Sequence, residues 1–370
     1  MGLVGSFWAL AWAEKESEMD GSSRVRVAII GATGYTGAEL LRLLHGHAGA
    51  EVSLIIGQSK AGQPVAEVLP SFAGVIDGEV EAFDADRVAE LAEVAFCALP
   101  HGASAKIVGE LREKGLTVFD LSADFRLRDR TTNATWYGDH GAPELFGQAV
   151  YGLVEFYRDA LREANLVAVP GCYPTASILA VAPLLSSGLA SVEDVIIDAK
   201  SGVSGAGRTA RPHTHLPEAA GGIRAYKAGG LHRHTPEIEQ ELGAISGEEL
   251  RISFTPHLVP MTRGILVTAY AKCAAPGVTA EDCHRAAESL YAQSPSVVVL
   301  PVGKHPDTLW VAGSNRVHVS YAVDERAGRI VAQASIDNLI KGAAGQAVQA
   351  FNVRFGMDEG MGLSEPGAWP

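Results

Sequence analysis

A doubly wound parallel α/β sheet joined to an α+β domain with a largely antiparallel sheet is the fold class that three features of this sequence predict. The chain has 370 residues, which at ~150 residues per domain points to about two domains. Short apolar strands alternate with helical segments over the first part of the chain, as in a parallel sheet covered on both faces. After Cys172 the strands lengthen and that alternation is lost, the mark of an α+β unit.

The elements follow in order. Val25–Ile30 is a short, β-branched, mostly apolar run and predicts a buried strand. A glycine turn over Gly31–Gly37 leads into helical Ala38–Leu44, and Val52–Ile56 is the next strand. Val94–Leu99 and Thr117–Asp120 continue the sheet, with a helix over Ala103–Lys114 between them. In the second part, strands are expected at Val195–Ala199, Arg251–Thr255, Ile265–Lys272, Val297–Leu300 and Val317–Val323. Helices are expected at Ala176–Ser186, Pro236–Leu242 and Ala280–Ala292, and a last helix at about Asn338–Phe351.

Phe7–Trp12 is apolar and Ala11-Trp12-Ala13 has the shape of a cleavage site, but no Lys or Arg precedes it. A secretion signal would carry a basic segment there, so residues 1–23 are read as a disordered leader, with Met19 a second candidate start.

Composition narrows the function. The chain is 47% hydrophobic, enough for a real core. No stretch approaches the ~18 apolar residues of a spanning helix, so no membrane association is expected. Lys and Arg number 30 against 43 Asp and Glu, a net charge of -13, which argues against nucleic-acid binding. The four cysteines, at 97, 172, 273 and 283, form no CxxC pair. Neither zinc nor a disulfide framework is expected, and a reducing, cytoplasmic compartment fits.

Gly31-Ala-Thr33-Gly34-Tyr35-Thr36-Gly37 is a GxxGxxG turn between the first strand and the first helix. Glycine there permits positive φ and close approach of phosphate oxygens, and the helix N-terminus offers free N–H groups. This is the setting of a dinucleotide site in a Rossmann-type sheet. NAD sites usually place a carboxylate after the second strand; here Gly57-Gln58-Ser59-Lys60 follows. Ser59 can donate to a 2′-phosphate and Lys60 can balance its charge, so NADP(H) is the expected cofactor.

Pro170-Gly171-Cys172-Tyr173-Pro174 closes an apolar strand where a helix is due to begin. A thiol at a helix N-terminus is expected to have a lowered pKa and to suit a nucleophile; the other three cysteines read as buried small hydrophobes. A thiol nucleophile beside NADP suggests acyl transfer to a thioester followed by hydride reduction to an aldehyde. His232-Arg233-His234-Thr235-Pro236 supplies two imidazoles for acid–base work before a helix that Thr235 would cap. One of the two histidines is expected to be a bystander, with His257 and His213 as more distant alternatives. The i, i+2 histidine pair lacks a third ligand, so no metal is expected. A second glycine loop, Ser201–Arg208, offers Ser204, Gly205 and Arg208 to an anion or to the nicotinamide end. Ser122 and Arg126 lie past the strand ending at Asp120, where ligands bind in open α/β sheets. Arg126 reads either as a phosphate clamp or as a surface ion pair with Asp124.

Taken together, Gly31-Ala-Thr-Gly-Tyr-Thr-Gly-Ala-Glu-Leu, Leu99-Pro-His-Gly-Ala-Ser, Asp120-Leu-Ser-Ala-Asp-Phe-Arg, Ala168-Val-Pro-Gly-Cys-Tyr-Pro-Thr-Ala, Ser201-Gly-Val-Ser-Gly-Ala-Gly-Arg, His232-Arg-His-Thr-Pro-Glu-Ile and Asp337-Asn-Leu-Ile-Lys-Gly-Ala-Ala-Gly-Gln-Ala resemble the N-acetyl-gamma-glutamyl-phosphate reductase family, over about Val25–Phe355. The resemblance implies Cys172 as nucleophile on an acyl phosphate, one of His232 and His234 as acid/base, and NADPH-dependent reduction of N-acetyl-L-glutamyl 5-phosphate to the 5-semialdehyde with release of phosphate, in arginine biosynthesis. Arg126, Arg208 and Arg233 become candidate substrate-binding groups, with Ser122. It also implies a homodimer or homotetramer, and a C-terminal helix returning to the first domain: residues 24–171 with 335–370 would bind cofactor, and 172–334 would carry catalysis and oligomer contacts. The residues before Met19 depart from the family pattern. A sibling reductase of aspartyl or aminoadipyl phosphate is the nearest rival; a non-catalytic NADP-binding regulator is the rival of another class.

Overall fold

The computed structural model describes residues 24–363 and 365–368; the expected leader over 1–23 lies outside them. Six parallel strands, β1 (Val25–Ile30), β2 (Ala50–Ile56), β3 (Val94–Cys97), β4 (Thr117–Asp120), β5 (Val150–Tyr151) and β6 (Leu166–Ala168), form one sheet in the order β2-β1-β3-β4-β6-β5. The doubly wound parallel sheet expected from the sequence is present. Its central strands are apolar on both faces because helices cover both. α1 (Tyr35–His45) and α5 (Val154–Leu161) lie on one side, and α2 (Ala85–Leu91) and α3 (Ser104–Glu113) on the other. A short helix, α4 (Arg130–Tyr137), follows β4.

The second sheet holds β7 (Val195–Gly202), β8 (Arg224–Ala225), β9 (Ile252–Val259), β10 (Ile265–Lys272), β11 (Val297–Val299), β12 (Val317–Asp324) and β13 (Arg329–Ile336), in the order β11-β12-β13-β10-β7-β9-β8. Only β11–β12 and β7–β9 pair in parallel; the other pairings are antiparallel. Strand β7 alternates strictly, with Val195, Ile197 and Ala199 buried and Ile196, Asp198 and Lys200 on the more open face. On the buried face pack α6 (Cys172–Ser186), α7 (Thr235–Ser246) and α8 (Ala280–Leu290). Every residue of α6 from Tyr173 to Leu185 is buried, so this helix is apolar all round, as a central helix must be.

Three expectations need correction. Arg329–Ile336 is a central strand, although the sequence expectation stopped at Val323; its alternating Ile330, Ala332, Ala334 and Ile336 all point into the core. The last helix does not run unbroken from Asn338. Ile340–Ala344 forms a π-turn, and the regular helix α9 spans Gly345–Arg354. Within this turn a Cβ on Gly342 would stand 2.8 Å from the Cβ of Cys172, so the chain passes that point without a side chain. Helix α7 begins at Thr235 with His234 at the cap position, so Thr235 is the first helical residue rather than the cap.

Helix α9 packs on the first sheet. Phe351, fully buried, sits 5.7 Å from Phe96 and 6.1 Å from Phe119, ring centre to ring centre, and those two rings stack on each other at 5.1 Å. Phe351→Ala removes the ring that joins this cluster, and should lower the unfolding free energy by about 3–5 kcal/mol; reversible chemical denaturation of the purified protein measures it.

Candidate active site

The glycine turn sits where β1 meets α1. Gly31 has φ +84°, and a Cβ there would be 2.4 Å from the Ala98 carbonyl oxygen, so only glycine fits. Gly34 caps α1 without any side-chain hydrogen bond, which leaves the first-turn amides of Tyr35, Thr36 and Gly37 facing outward for an anion. Thr33, Gly34 and Thr36 are half-buried around this opening, while Ser59 and Lys60 stand exposed on the short turn after β2. Among the described residues neither of their side chains has a hydrogen-bond partner. These groups fit the diphosphate and 2′-phosphate of a dinucleotide.

Cys172 is the first residue of α6, following Gly171 in extended conformation. Burial pushes its thiol up to about 11, with the Glu237 carboxylate acting in the same direction; the Arg126 guanidinium and the amides of Tyr173 and Cys172 pull the other way. The expected low thiol pKa is therefore corrected. Desolvation outweighs the helix terminus, and the resting group is a thiol.

A Cβ on Gly171 would lie 2.7 Å from His234 Nε2 and 2.9 Å from Arg126 Nη1. The imidazole edge and the guanidinium thus close on the backbone immediately before the thiol. Burial, the neighbouring His232 and the Arg126 charge hold His234 well below the usual imidazole range, and its Nδ1 has no partner among the described residues. His232 differs. It is buried edge-on between Tyr173 (5.6 Å), Tyr226 (5.6 Å) and Phe254 (5.3 Å), and its Nδ1 accepts from the His234 amide at 3.2 Å. Burial, with the charges of Lys227 and Arg233, lowers it to about 4. Both imidazoles are neutral at pH 7, but only His234 borders the turn before Cys172. His257 instead faces Asp198 at 3.5 Å, and His213 lies in an exposed turn.

Arg126 is buried, donating to the Val169 carbonyl (2.7 Å) and the Leu121 carbonyl (2.8 Å) and pairing with Glu237 at 3.4 Å. Its surface-pair alternative with Asp124 is absent, because Asp124 accepts from the Gly102 and Ala105 amides at the start of α3. Ser122 is a correction: it is buried, donates to Asp120 at 2.6 Å and accepts from the Asp124 amide, so its hydroxyl supports the strand end and is turned away from ligand. Arg208 is another. Its guanidinium donates to the carbonyls of Thr33 (2.8 Å) and Val68 (3.0 Å), clamping the glycine turn instead of waiting for an anion. Ser204 accepts from Asn338 at 2.9 Å, while Gly205 beside it is exposed. Arg233 is half-buried, and no acid pairs with its guanidinium among the described residues.

Glu237 was not singled out from the sequence. It is fully buried, and its Oε1 accepts from the Gly171 amide (2.8 Å) and the Tyr151 hydroxyl (2.9 Å). Its position one turn into α7 behind His234 was the available signal.

Comparison with known proteins identifies the family. Residues 26–164 match the family model described as semialdehyde dehydrogenase, NAD binding domain, and residues 172–338 the one described as semialdehyde dehydrogenase, dimerisation domain. An N-acetyl-gamma-glutamyl-phosphate reductase of Moorella thermoacetica is 49% identical over 94% of this chain and 100% of its own length, and one of Synechococcus elongatus is 47% identical over 93% and 98%. Aspartate semialdehyde dehydrogenase II of Vibrio cholerae shares the fold with a TM-score of 0.69 at 19% identity, covering 90% of this chain and 98% of that one. A glycine turn, a helix-start cysteine and an abutting histidine, in a chain nearly half identical to those reductases along its described length, mean that it belongs to the N-acetyl-gamma-glutamyl-phosphate reductase family.

Proposed function

We propose that this chain reduces N-acetyl-L-glutamyl 5-phosphate to N-acetyl-L-glutamate 5-semialdehyde and phosphate, with NADPH as reductant and Cys172 as covalent nucleophile. The observation that carries the reading is the placement of His234, the cap residue of α7, against Gly171 immediately before Cys172 at the start of α6, past the same sheet edge as the glycine turn. Sulfur attacks the acyl-phosphate carbon while His234, neutral and therefore able to accept, takes the thiol proton and passes it to the departing phosphate. The amides of Cys172 and Tyr173, which already face the sulfur, lie where the oxyanion develops. When bound, the reduced dinucleotide supplies the hydride that converts the thioester to a thiohemiacetal. Collapse of that adduct releases the aldehyde and the thiolate, which is reprotonated. His232 acts as the wall and hydrogen-bond support that fixes His234.

The finer assignments belong to the same proposal. Tyr35, Thr36 and Gly37 offer amides to the diphosphate, Ser59 and Lys60 select the 2′-phosphate, and Gly205 lies toward the nicotinamide end. Residues 24–171 with 335–370 act as the cofactor domain, and 172–334 as the catalytic and oligomerisation domain. A second copy stacks on the open face of the second sheet, where Tyr270 is 37% exposed, giving a homodimer or a tetramer of such dimers. Among the described residues no helix is long and apolar enough to cross a membrane, and the place of action is the cytoplasm.

Three outcomes test this. Phosphate-dependent reduction of NADP+ with N-acetylglutamate semialdehyde should exceed that with the aspartate or aminoadipate semialdehyde, and KM for NADPH should fall below that for NADH; a preference for either analogue, or equal KM values, overturns the corresponding part. Cys172→Ser should abolish turnover with NADPH affinity kept, and His234→Asn should cost at least about a hundredfold in kcat while His232→Asn costs less. In Glu237→Gln the negative charge that raises the thiol pKa is gone and Arg126 is released from its pair, so the pH profile of Cys172 alkylation should move to lower pH. An unmoved profile would show that Glu237 does not act on the sulfur.

A further inference from the structure

We propose that the Lys227 ammonium, with Arg233, holds the phosphoryl group of the acyl phosphate as it departs. The proposal rests on the reading of the chain as an acyl-phosphate reductase. Lys227 follows Tyr226, which is fixed at three points. Its amide donates to the Pro256 carbonyl (3.1 Å), its hydroxyl meets that of Tyr173 (3.1 Å), and its ring stands edge-on to His232 at 5.6 Å. Tyr173 is the neighbour of the nucleophile. The Tyr226 side chain therefore lies against Tyr173 and His232, and Lys227 follows it in the chain.

Lys227 adopts φ +46°, one of two non-glycine residues with positive φ among those described. Lysine is poorly suited to that conformation, and glycines are close by at 229 and 230. Backbone held in this region is over-determined by its surroundings and gathers at ligand sites. Here Tyr226 on one side does the holding.

The charge pattern points the same way. The Lys227 ammonium has no acid partner among the described residues, although the chain carries 43 acids. Lys227 is exposed at the rim of the site; its charge acts on His232, His234 and His101, and partial desolvation with the Arg233 and Arg211 charges lowers its own pKa. Asp124 acts on Arg233 and His101 but forms an ion pair with neither, so the group keeps excess positive charge, which favours an anion. Arg126 and Arg208 have part of their donor capacity committed, Arg126 to two carbonyls and Glu237 and Arg208 to two carbonyls. Among the described residues neither Arg233 nor Arg211 beside it pairs with an acid, and a dianion calls for more than one cation. The phosphate is bonded to the carbon that sulfur attacks, so it lies beside the base; the α-carboxylate of the substrate is several bonds further away. Bound phosphate would also offset the Lys227 charge felt by His234, making the imidazole a better proton acceptor when substrate is in place.

The test is the reverse reaction, with semialdehyde, inorganic phosphate and NADP+, on the full chain. Phosphate-dependent turnover by the unaltered protein secures the parent reading; its absence would count against that reading, independently of any variant. Lys227→Met should raise KM for phosphate about tenfold or more, with KM for the semialdehyde changed less than about twofold, and Lys227→Arg should recover most of the loss. A rise confined to the semialdehyde KM would place Lys227 on the carboxylate, and unchanged values for both would remove it from the site; either result overturns the assignment. Retained NADP+ binding in Lys227→Met shows that the variant is folded, and Lys227→Gln repeats the measurement should that variant not fold.

Discussion

One buried carboxylate holds the site together. Glu237, on the first turn of α7, accepts from the Gly171 amide and the Tyr151 hydroxyl and faces the Arg126 guanidinium. It thereby joins the helix that the histidines precede, the turn that carries Cys172 and the edge of the parallel sheet. Arg126 extends the contact by donating to the carbonyls of Leu121 and Val169, at the ends of β4 and β6. A buried ion pair of this kind adds little net stability, but removing one partner strands a charge. Its value here is positional: His234 reaches the thiol's turn because α7 is anchored there.

That anchoring explains the electrostatics. A thiol and an imidazole buried side by side both avoid charge, so the resting pair is neutral. A neutral histidine accepts a proton and a neutral thiol keeps its own until an electrophile arrives. Burial thus keeps the resting group a thiol, and the Arg126 charge partly offsets that cost.

The cofactor turn is tied to the second domain by two arginines. Arg208 donates to the Thr33 carbonyl within the glycine turn, and Arg263 pairs with Glu39 on α1 at 2.6 Å and with Asp337 at 3.5 Å. At the far end of the chain, the π-turn lays Gly342 against Cys172 before α9 reaches the Phe96–Phe119 stack. Cys172 is therefore bounded by segments from both halves of the molecule.

The parts legible in the sequence are those whose meaning is local. A glycine turn between strand and helix, and Pro-Gly-Cys at a helix start, declare their backbone conformation within a few residues, so the parallel sheet, the cofactor turn and Cys172 could be read directly. Strand β13 was legible in principle from its alternation, but small alanines at two of its inward positions weakened the signal. The roles of the polar groups were not legible. Arg126 finds its partners 43 and 111 residues away, Arg208 finds its own 175 and 140 residues away, and Lys227 stands out only through its backbone angle and its missing counter-ion. The sequence by itself determined which groups could do chemistry; only the tertiary structure decided which are spent on backbone carbonyls and which remain free. A charged side chain's role depends on what surrounds it in space, and chain order does not record those neighbours.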